Sequence, residues 1–375
     1  MSGKVVTFRN GRVFDGERLH DGHVARFEDG QLAALIPEAD APYTEDAVDL
    51  GGDILSAGYV DLQVNGGGGV MLNDDPSVET LKRMVDAHRN LGVAAILPTL
   101  ITDTREVTAA AIAAAIEATQ RGLAGVAGLH LEGPHLSLAR KGAHDPALIR
   151  PMEPEDFDNL LAAARALPAL MVTVAPESVS EAQVAALSRA GVIVSIGHTN
   201  ADFETCQRYA AAGARVATHL FNAMSQLGSR EPGLVGAALA NGALSAGLIA
   251  DAIHVHPATM RAAWASKAGP GRIFLVSDAM AVAGSDLSEF RLGGRMIRRN
   301  AGRLTLEDGT LAGADLDLTT AVRNLVGLVG VGLEDALRAA ITVPAALIRR
   351  KTVAGQVLGD MIRIAPDLSA CRPAI

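Results

Sequence analysis

The stretch Gly58-Tyr59-Val60-Asp61-Leu62-Gln63-Val64-Asn65-Gly66 decides how the rest of the chain is read. Side chains two apart on a strand share a face, so Asp61, Gln63 and Asn65 line up opposite Val60, Leu62 and Val64. The strand then stops at the glycines of Gly66–Gly69. Further strand-like runs follow at 94–98, 126–131, 170–175, 192–196, 215–218, 247–250 and 272–276. Stretches with helical periodicity separate most of them, at 78–91, 104–121, 155–167, 179–190 and 201–212. Strands alternating with helices specify a parallel sheet with crossover helices. With eight strands, closure into a (β/α)8 barrel of the TIM type is expected rather than an open sheet.

The fifty residues before this region read differently. Val5–Phe8, Gly11–Gly16 and His23–Phe27 are short strands, and Asp29-Gly30 is a hairpin turn. After the eighth strand, 292–305 reads as a β excursion, 318–329 and 333–341 as the last helices, and 352–364 as strand and turn again. We therefore expect an α/β fold in three parts. Residues 1–54 and 346–375 form a small β-sandwich domain from both chain ends, and 55–345 form the barrel.

Composition agrees with a large enclosed core. Of 375 residues, 49% are hydrophobic, 20% charged and 3% aromatic, a bias toward small side chains that lets helices lie close to a sheet. The net charge of -9 argues against a nucleic-acid surface, which needs a basic stripe. Cys206 and Cys371 have neither metal-site nor disulfide spacing, so a reducing cytoplasm is expected. Residues 1–12 lack the apolar core of a signal peptide. The Ala-rich run 107–118 is too short for a membrane span. No membrane association is expected.

Chemistry concentrates where the strand candidates end. There stand Asp61, Gln63 and Asn65, His130 and Glu132, His198, His219, Asp251 with His254, and Asp278. In a (β/α)8 barrel those ends converge on one mouth. A lone His is more often a satisfied core or loop histidine, but several at equivalent strand ends reverse that weighing. Glu132, His198 and His219 make a three-ligand set for one catalytic divalent ion with open coordination positions. Zinc is the default, and iron or another first-row ion fits the same ligands.

Asp278 can pass a proton between water and a leaving amine, or it can cap a following helix. Gln63 and Asn65 stand where related metal hydrolases carry His-x-His for a second metal. This far weaker pair points to one metal, and we group both with the substrate-binding residues. Gly66–Gly69 has no following Gly-Lys-Ser/Thr, so a tight or flexible loop is expected rather than a phosphate loop. His256 precedes Pro257 at an apparent helix start, which leaves only His254 of that pair functional.

In their order along 55–345, these segments resemble the N-acetylglucosamine-6-phosphate deacetylase family. The carriers are Gly58–Gly66, His130-Leu-Glu-Gly-Pro134, Lys141-Gly-Ala-His144, Gly197-His-Thr-Asn-Ala201 and Thr218-His-Leu-Phe-Asn-Ala-Met224. Arg230-Glu-Pro-Gly-Leu234, Ile249–His254, Leu275-Val-Ser-Asp278 and Leu311-Ala-Gly313 complete the set. The resemblance implies metal ligation by Glu132, His198 and His219, acid/base catalysis by Asp278, and carbonyl polarisation by His144. It also implies sugar-phosphate contacts from Asn222, Ala223, Arg230 and His254, with backbone groups of Ala143, Leu311, Ala312 and Gly313 lining the site. A phosphate contact from a neighbouring subunit, and hence a homodimer, is implied too.

Departures are His135, where relatives carry an aromatic residue, Ala252 after Asp251 in place of glycine, and the unfamiliar tail after Ser369. His135 is expected to alter the pocket wall. The implied reaction is hydrolysis of N-acetylglucosamine 6-phosphate to acetate and glucosamine 6-phosphate. The alternatives are a relative acting on N-acetylgalactosamine 6-phosphate or, from a different class, a non-catalytic sugar-phosphate-binding regulator with an eroded metal or acid position.

Overall fold

A computed structural model describes residues 4–42, 46–350 and 357–375. The expected strand and turn across 352–364 therefore falls partly outside the described residues. Eight parallel strands, each beside the next in chain order, form the central sheet. They are Tyr59–Val64, Val93–Ile101, Leu129–Glu132, Leu170–Val174, Ile193–Ile196, Val216–Ala217, Ser245–Leu248 and Ile273–Leu275. The ladder does not run on from the eighth strand to the first. Closure comes just beyond the eighth strand, where the Asp278 N–H donates to the Gln63 carbonyl at 3.1 Å and the Asn65 N–H to the Ala279 carbonyl at 2.8 Å. The seam of the barrel therefore lies at its mouth.

These strands are buried almost throughout because helices cover the outside and side chains fill the inside. Local chemistry starts the helices. Ser77 caps Val78–Asn90 and Thr104 caps Arg105–Gln120, while Ser180 and Gln183 form a reciprocal capping pair before Glu181–Arg189. The helix Arg105–Gln120 buries Ala111, Ala114, Ala115 and Ala118 against its neighbours. The third strand starts later than the sequence predicts, at Leu129, and just before it Gly128 passes so close to its neighbour that a Cβ would lie 2.0 Å from the Ala169 carbonyl oxygen.

Two further sheets use both chain ends. One orders Gln31–Pro37, His23–Glu28, Val5–Arg9 and Val48–Asp49. The other orders Cys371–Pro373, Met361–Ile364, Ile54–Ala57, Arg12–Phe14 and Leu19–Asp21. Phe8, Val13, Phe27, Leu55 and Met361 pack together between them, as the expected sandwich requires. The β excursion is larger than its sequence signal. It is a four-stranded antiparallel sheet of Glu289–Leu292, Arg295–Asn300, Arg303–Thr305 and Leu311–Ala314. Its small core of Phe290, Leu292, Ile297, Leu304 and Ala312 packs on Ile101 and Met280 beside the barrel mouth. Among the described residues, no helix is long and apolar enough to cross a membrane.

Candidate active site

The C-terminal strand ends enclose a cavity of about 410 Å³. Glu132 is the last residue of the third strand, His198 lies two residues past the fifth, and His219 two past the sixth. Their side chains converge. Glu132 Oε1 lies 3.3 Å from His198 Nε2 and 3.0 Å from His219 Nε2, and the two Nε2 atoms are 3.0 Å apart. One donor atom from each falls within 4.8 Å of the others, and all three residues are buried. Two imidazole nitrogens and a carboxylate oxygen facing a cavity fit a divalent first-row ion with room for further ligands. His198 is oriented for this, because its Nδ1 donates to the Arg140 carbonyl at 2.8 Å and leaves the Nε2 lone pair toward the other donors.

His144 is arranged the opposite way. The Thr102 N–H donates to its Nδ1 at 3.3 Å and the Thr102 hydroxyl lies 2.8 Å from the same atom. An accepting Nδ1 leaves the proton on Nε2, which points into the site 3.9 Å from Glu132 Oε2. Burial and the neighbouring His198 push His144 down to about 3, so it is a neutral hydrogen-bond donor.

Asp278 lines the same cavity as the ligand cluster, and no helix begins at it, which removes the capping explanation. Its Oδ1 accepts from Asn65 Nδ2 at 2.7 Å and from Gln63 Nε2 at 3.1 Å. Gln63 Nε2 also lies 3.1 Å from Glu132 Oε1. Here the structure changes the expectation: both amides are spent on the two carboxylates, and only Asn65 reaches the cavity wall. Burial and the charge of Glu132 raise Asp278 to about 6. Burial alone would raise Glu132 too, but the hydrogen bonds and charges of His198 and His219 outweigh it and hold the carboxyl well below its usual range. One cavity thus holds one carboxyl kept below its ordinary range and one raised above it, an arrangement that can divide roles between paired acids.

Asp61 and His130 do not reach the mouth. Each lies two residues before an active-site position on the same inward face, and so one layer deeper. Asp61 accepts the Ser277 N–H at 3.2 Å, and burial raises it to about 7. His130 Nε2 meets the Thr173 hydroxyl at 2.8 Å. From there a hydroxyl chain passes through Thr218, at 2.8 Å, to Ser195, at 2.6 Å, beneath the ligands.

His198, His219 and Asp278 all have left-handed backbones, with φ of 47°, 24° and 51°. Phe221, Ala223 and Ala252 share the trait at 78°, 47° and 63°. Such strain in non-glycine residues gathers where the surrounding structure over-determines a site.

Ala143, Asn222, Ala223, His254 and Leu311, Ala312 and Gly313 line the cavity with these groups. Sequence reasoning did not anticipate Ile101, Ile249, Met280, Leu292, Gly309 and Thr310, which complete the wall. Leu292, Gly309 and Thr310 belong to the inserted sheet or its loops, whose return to the mouth no local signal announces. Two expected residues stand elsewhere. Arg230 is exposed on a loop beyond the wall of its own cavity. His135 is buried behind the mouth with its Nδ1 on the Arg150 carbonyl at 3.1 Å, and it faces an outer cavity between Arg105–Gln120 and Pro154–Ala166. His256 caps the helix Pro257–Ser266, as its position before Pro257 predicts. Gly66–Gly67 and Val70–Met71 form a tight hairpin rather than a phosphate cradle.

Residues 54–353 match the amidohydrolase family. The N-acetylgalactosamine-6-phosphate deacetylase of Shewanella sp. strain ANA-3 is 44% identical over 327 residues, 86% of this chain and 82% of that one. The N-acetylglucosamine-6-phosphate deacetylase of Haemophilus influenzae is 36% identical over 320 residues, covering 84% and 83%. The crystal structure of N-acetylglucosamine-6-phosphate deacetylase from Pasteurella multocida superimposes with a TM-score of 0.91 at 31% identity, over 98% of this chain and 97% of the other. The chain belongs to the amidohydrolase family, in the group that holds the N-acetylglucosamine- and N-acetylgalactosamine-6-phosphate deacetylases.

Proposed function

We propose that this chain is a metal-dependent deacetylase that hydrolyses N-acetylglucosamine 6-phosphate to acetate and glucosamine 6-phosphate. One observation carries the reading: a three-donor metal cluster and a carboxylate raised to about 6 line one cavity. A non-catalytic regulator would need one of these positions eroded, and none is.

A divalent ion held by Glu132, His198 and His219 supplies Lewis acidity to water and to the acetamide carbonyl. Zinc is the ion we favour for this two-imidazole, one-carboxylate set, one per subunit. Asp278 takes a proton from the attacking water and returns it to the departing amine. Its amide partners, Asn65 and Gln63, hold Oδ1 and leave Oδ2 to exchange the proton. The Nε2 proton of His144 faces the oxygen on which negative charge develops, a donor placed before the reaction begins.

His254, at the cavity wall, is the phosphate-binding group within the chain. Arg230 adds a second. It projects from a loop pinned on both sides of it, where Glu231 Oε1 accepts the Gly233 N–H at 3.0 Å and the Glu231 carbonyl accepts the Gly228 N–H at 3.0 Å. Its exposure, next to the 59%-exposed Leu227, supports a homodimer in which Arg230 serves the neighbouring subunit's phosphate. Cytoplasmic placement fits the two unpaired cysteines.

The 44% identity to an N-acetylgalactosamine-6-phosphate deacetylase favours a second reading, the C4 epimer as substrate. Acetate release from both 6-phosphates and from unphosphorylated N-acetylglucosamine, with and without chelator, tests both readings. Chelator-sensitive release selective for a phosphorylated sugar is expected, and the faster epimer names the substrate. Metal-replete protein that releases acetate from neither overturns the proposal.

A further inference from the structure

We infer that Asp251 is a positioning residue for phosphate recognition, holding His254 as a charged donor aimed into the cavity. The inference rests on the phosphate reading of His254 given above. Asp251 Oδ2 lies 2.6 Å from His254 Nδ1, and both side chains are nearly closed to solvent, at 4% and 7% exposure. The other oxygen, Oδ1, accepts the N–H groups of Ile253 and His254, each at 2.8 Å. One carboxylate thus fixes both the turn and the ring. Asn324 secures the turn from behind, its Nδ2 donating to the Ala250 carbonyl at 2.9 Å.

The far edge of the ring is free for a ligand. Among the described residues no hydrogen bond reaches His254 Nε2, and His254 is part of the cavity wall. The protonation state of the ring decides what that edge offers. A neutral ring with its proton on Nδ1 would present a lone pair to the cavity and repel a phosphate oxygen. An imidazolium presents Nε2–H and a positive charge. A carboxylate 2.6 Å from Nδ1 can pair with the imidazolium, and that pairing is the form proposed here.

Asp251→Asn is nearly the same shape and can still accept the two backbone N–H groups at its oxygen. Its amide nitrogen then faces Nδ1 and donates to it, leaving a neutral ring with a proton on Nε2. The donor survives but its charge does not. Charge-assisted bonds are about twice as strong as neutral ones, so KM for N-acetylglucosamine 6-phosphate should rise about tenfold. Turnover number and metal content should hold, and kcat/KM for unphosphorylated N-acetylglucosamine should stay the same. His254→Ala should raise the same KM, and adding Asp251→Asn to it should change little more, because the two act as one unit.

Loss of kcat on both sugars together with a lower Tm would reduce Asp251 to a turn cap and overturn the inference. A wild-type enzyme that does not distinguish phosphorylated from unphosphorylated sugar overturns the phosphate reading and this inference with it. If Asp251→Asn does not fold, nitrogen-15 NMR of labelled histidine in the wild-type enzyme decides instead. His254 protonated on both nitrogens near pH 7.5 supports the ion pair, and a neutral ring overturns it.

Discussion

Glu132 and Asp278 line one cavity, each buried and each within reach of the same Gln63 amide, which lies 3.1 Å from an oxygen of both. At the Glu132 corner two imidazoles surround the carboxylate and hold it ionised. At the Asp278 corner the hydrogen-bond partners are neutral amides, and the charge of Glu132 raises it further against smaller lowering by His219 and His254. Burial acts on both in the same direction, so the partners alone separate them. A ligand must be ionised at every working pH, whereas a group that shuttles protons needs a pKa nearer the working range. Gln63 and Asn65 make the second corner possible, since a cation at their place would have held Asp278 down.

The largest effects should come from breaking the ligand corner. Glu132→Gln removes the only acid of the donor set, so metal content measured after dialysis should fall and turnover with it, to near the background rate. Chelation of the wild-type protein should give the same loss, reversed by added metal. If Glu132→Gln retained metal and rate, the donor set would be wrong.

Breaking the other corner should leave the metal in place. Asp278→Asn is expected to bind about one ion per subunit while kcat falls by about 10²–10⁴-fold, the usual contribution of positioned acid/base catalysis. Asp278 must be ionised to accept a proton, so the rate should be full above its pKa and fall as pH drops through it. That pKa is about 6 from the protein's own groups, and a neighbouring cation can only lower it. The acid limb of kcat against pH should therefore lie at or below about 6. An acid limb above 7 that persists in Asp278→Asn would remove Asp278 from the proton transfer.

A smaller effect should sharpen the role of the amides. Asn65→Ala deletes a 2.7 Å hydrogen bond to the ionised form of Asp278. Loss of a hydrogen bond to a charged group is about 1.5–3 kcal/mol, roughly a tenfold to hundredfold change. It should move the acid limb to higher pH, since the carboxylate loses a partner and the acid does not. A fall in rate with no movement of that limb would make Asn65 a substrate contact instead, as the sequence alone suggested.

What the sequence disclosed about this comparison follows from where the information sits. Polar residues at the ends of apolar runs made Glu132, His198, His219 and Asp278 legible, because (β/α)8 topology converts strand ends into neighbours. The seventh strand is offset by two residues, at Ser245–Leu248 rather than 247–250. A continuous apolar run buried on both faces has no alternation to set its phase. Asp61 and His130 read as mouth residues because period two assigns a face but not a depth. Gln63 and Asn65 were read as substrate contacts rather than a metal pair. Their hydrogen bonds to Asp278, 215 and 213 residues away in sequence, could be seen only once the barrel closed. The role of His144 came from resemblance to a family alone. Only the fold shows the Thr102 contacts that set its tautomer.

Backbone strain is common to both corners, at His198, His219 and Asp278, but there it cannot be separated from chemistry by mutation. Ala252 permits the separation. It has φ of 63° and no reacting atom, and it stands in the turn that Asp251 pins. Left-handed backbone costs a residue with a Cβ roughly 1–2 kcal/mol, and glycine almost nothing. Glycine also gives the unfolded chain more freedom, which returns about 0.4–1 kcal/mol of that gain. Ala252→Gly should therefore stabilise the protein by about 0.5–1 kcal/mol, read as a higher midpoint in denaturant. A lower midpoint would mean that the Ala252 methyl, which packs against the main core, contributes more than the strain costs. In that case the left-handed turns of the mouth are held by packing as well as by their hydrogen bonds, and strain at His198, His219 and Asp278 could not be read as a mark of function by itself.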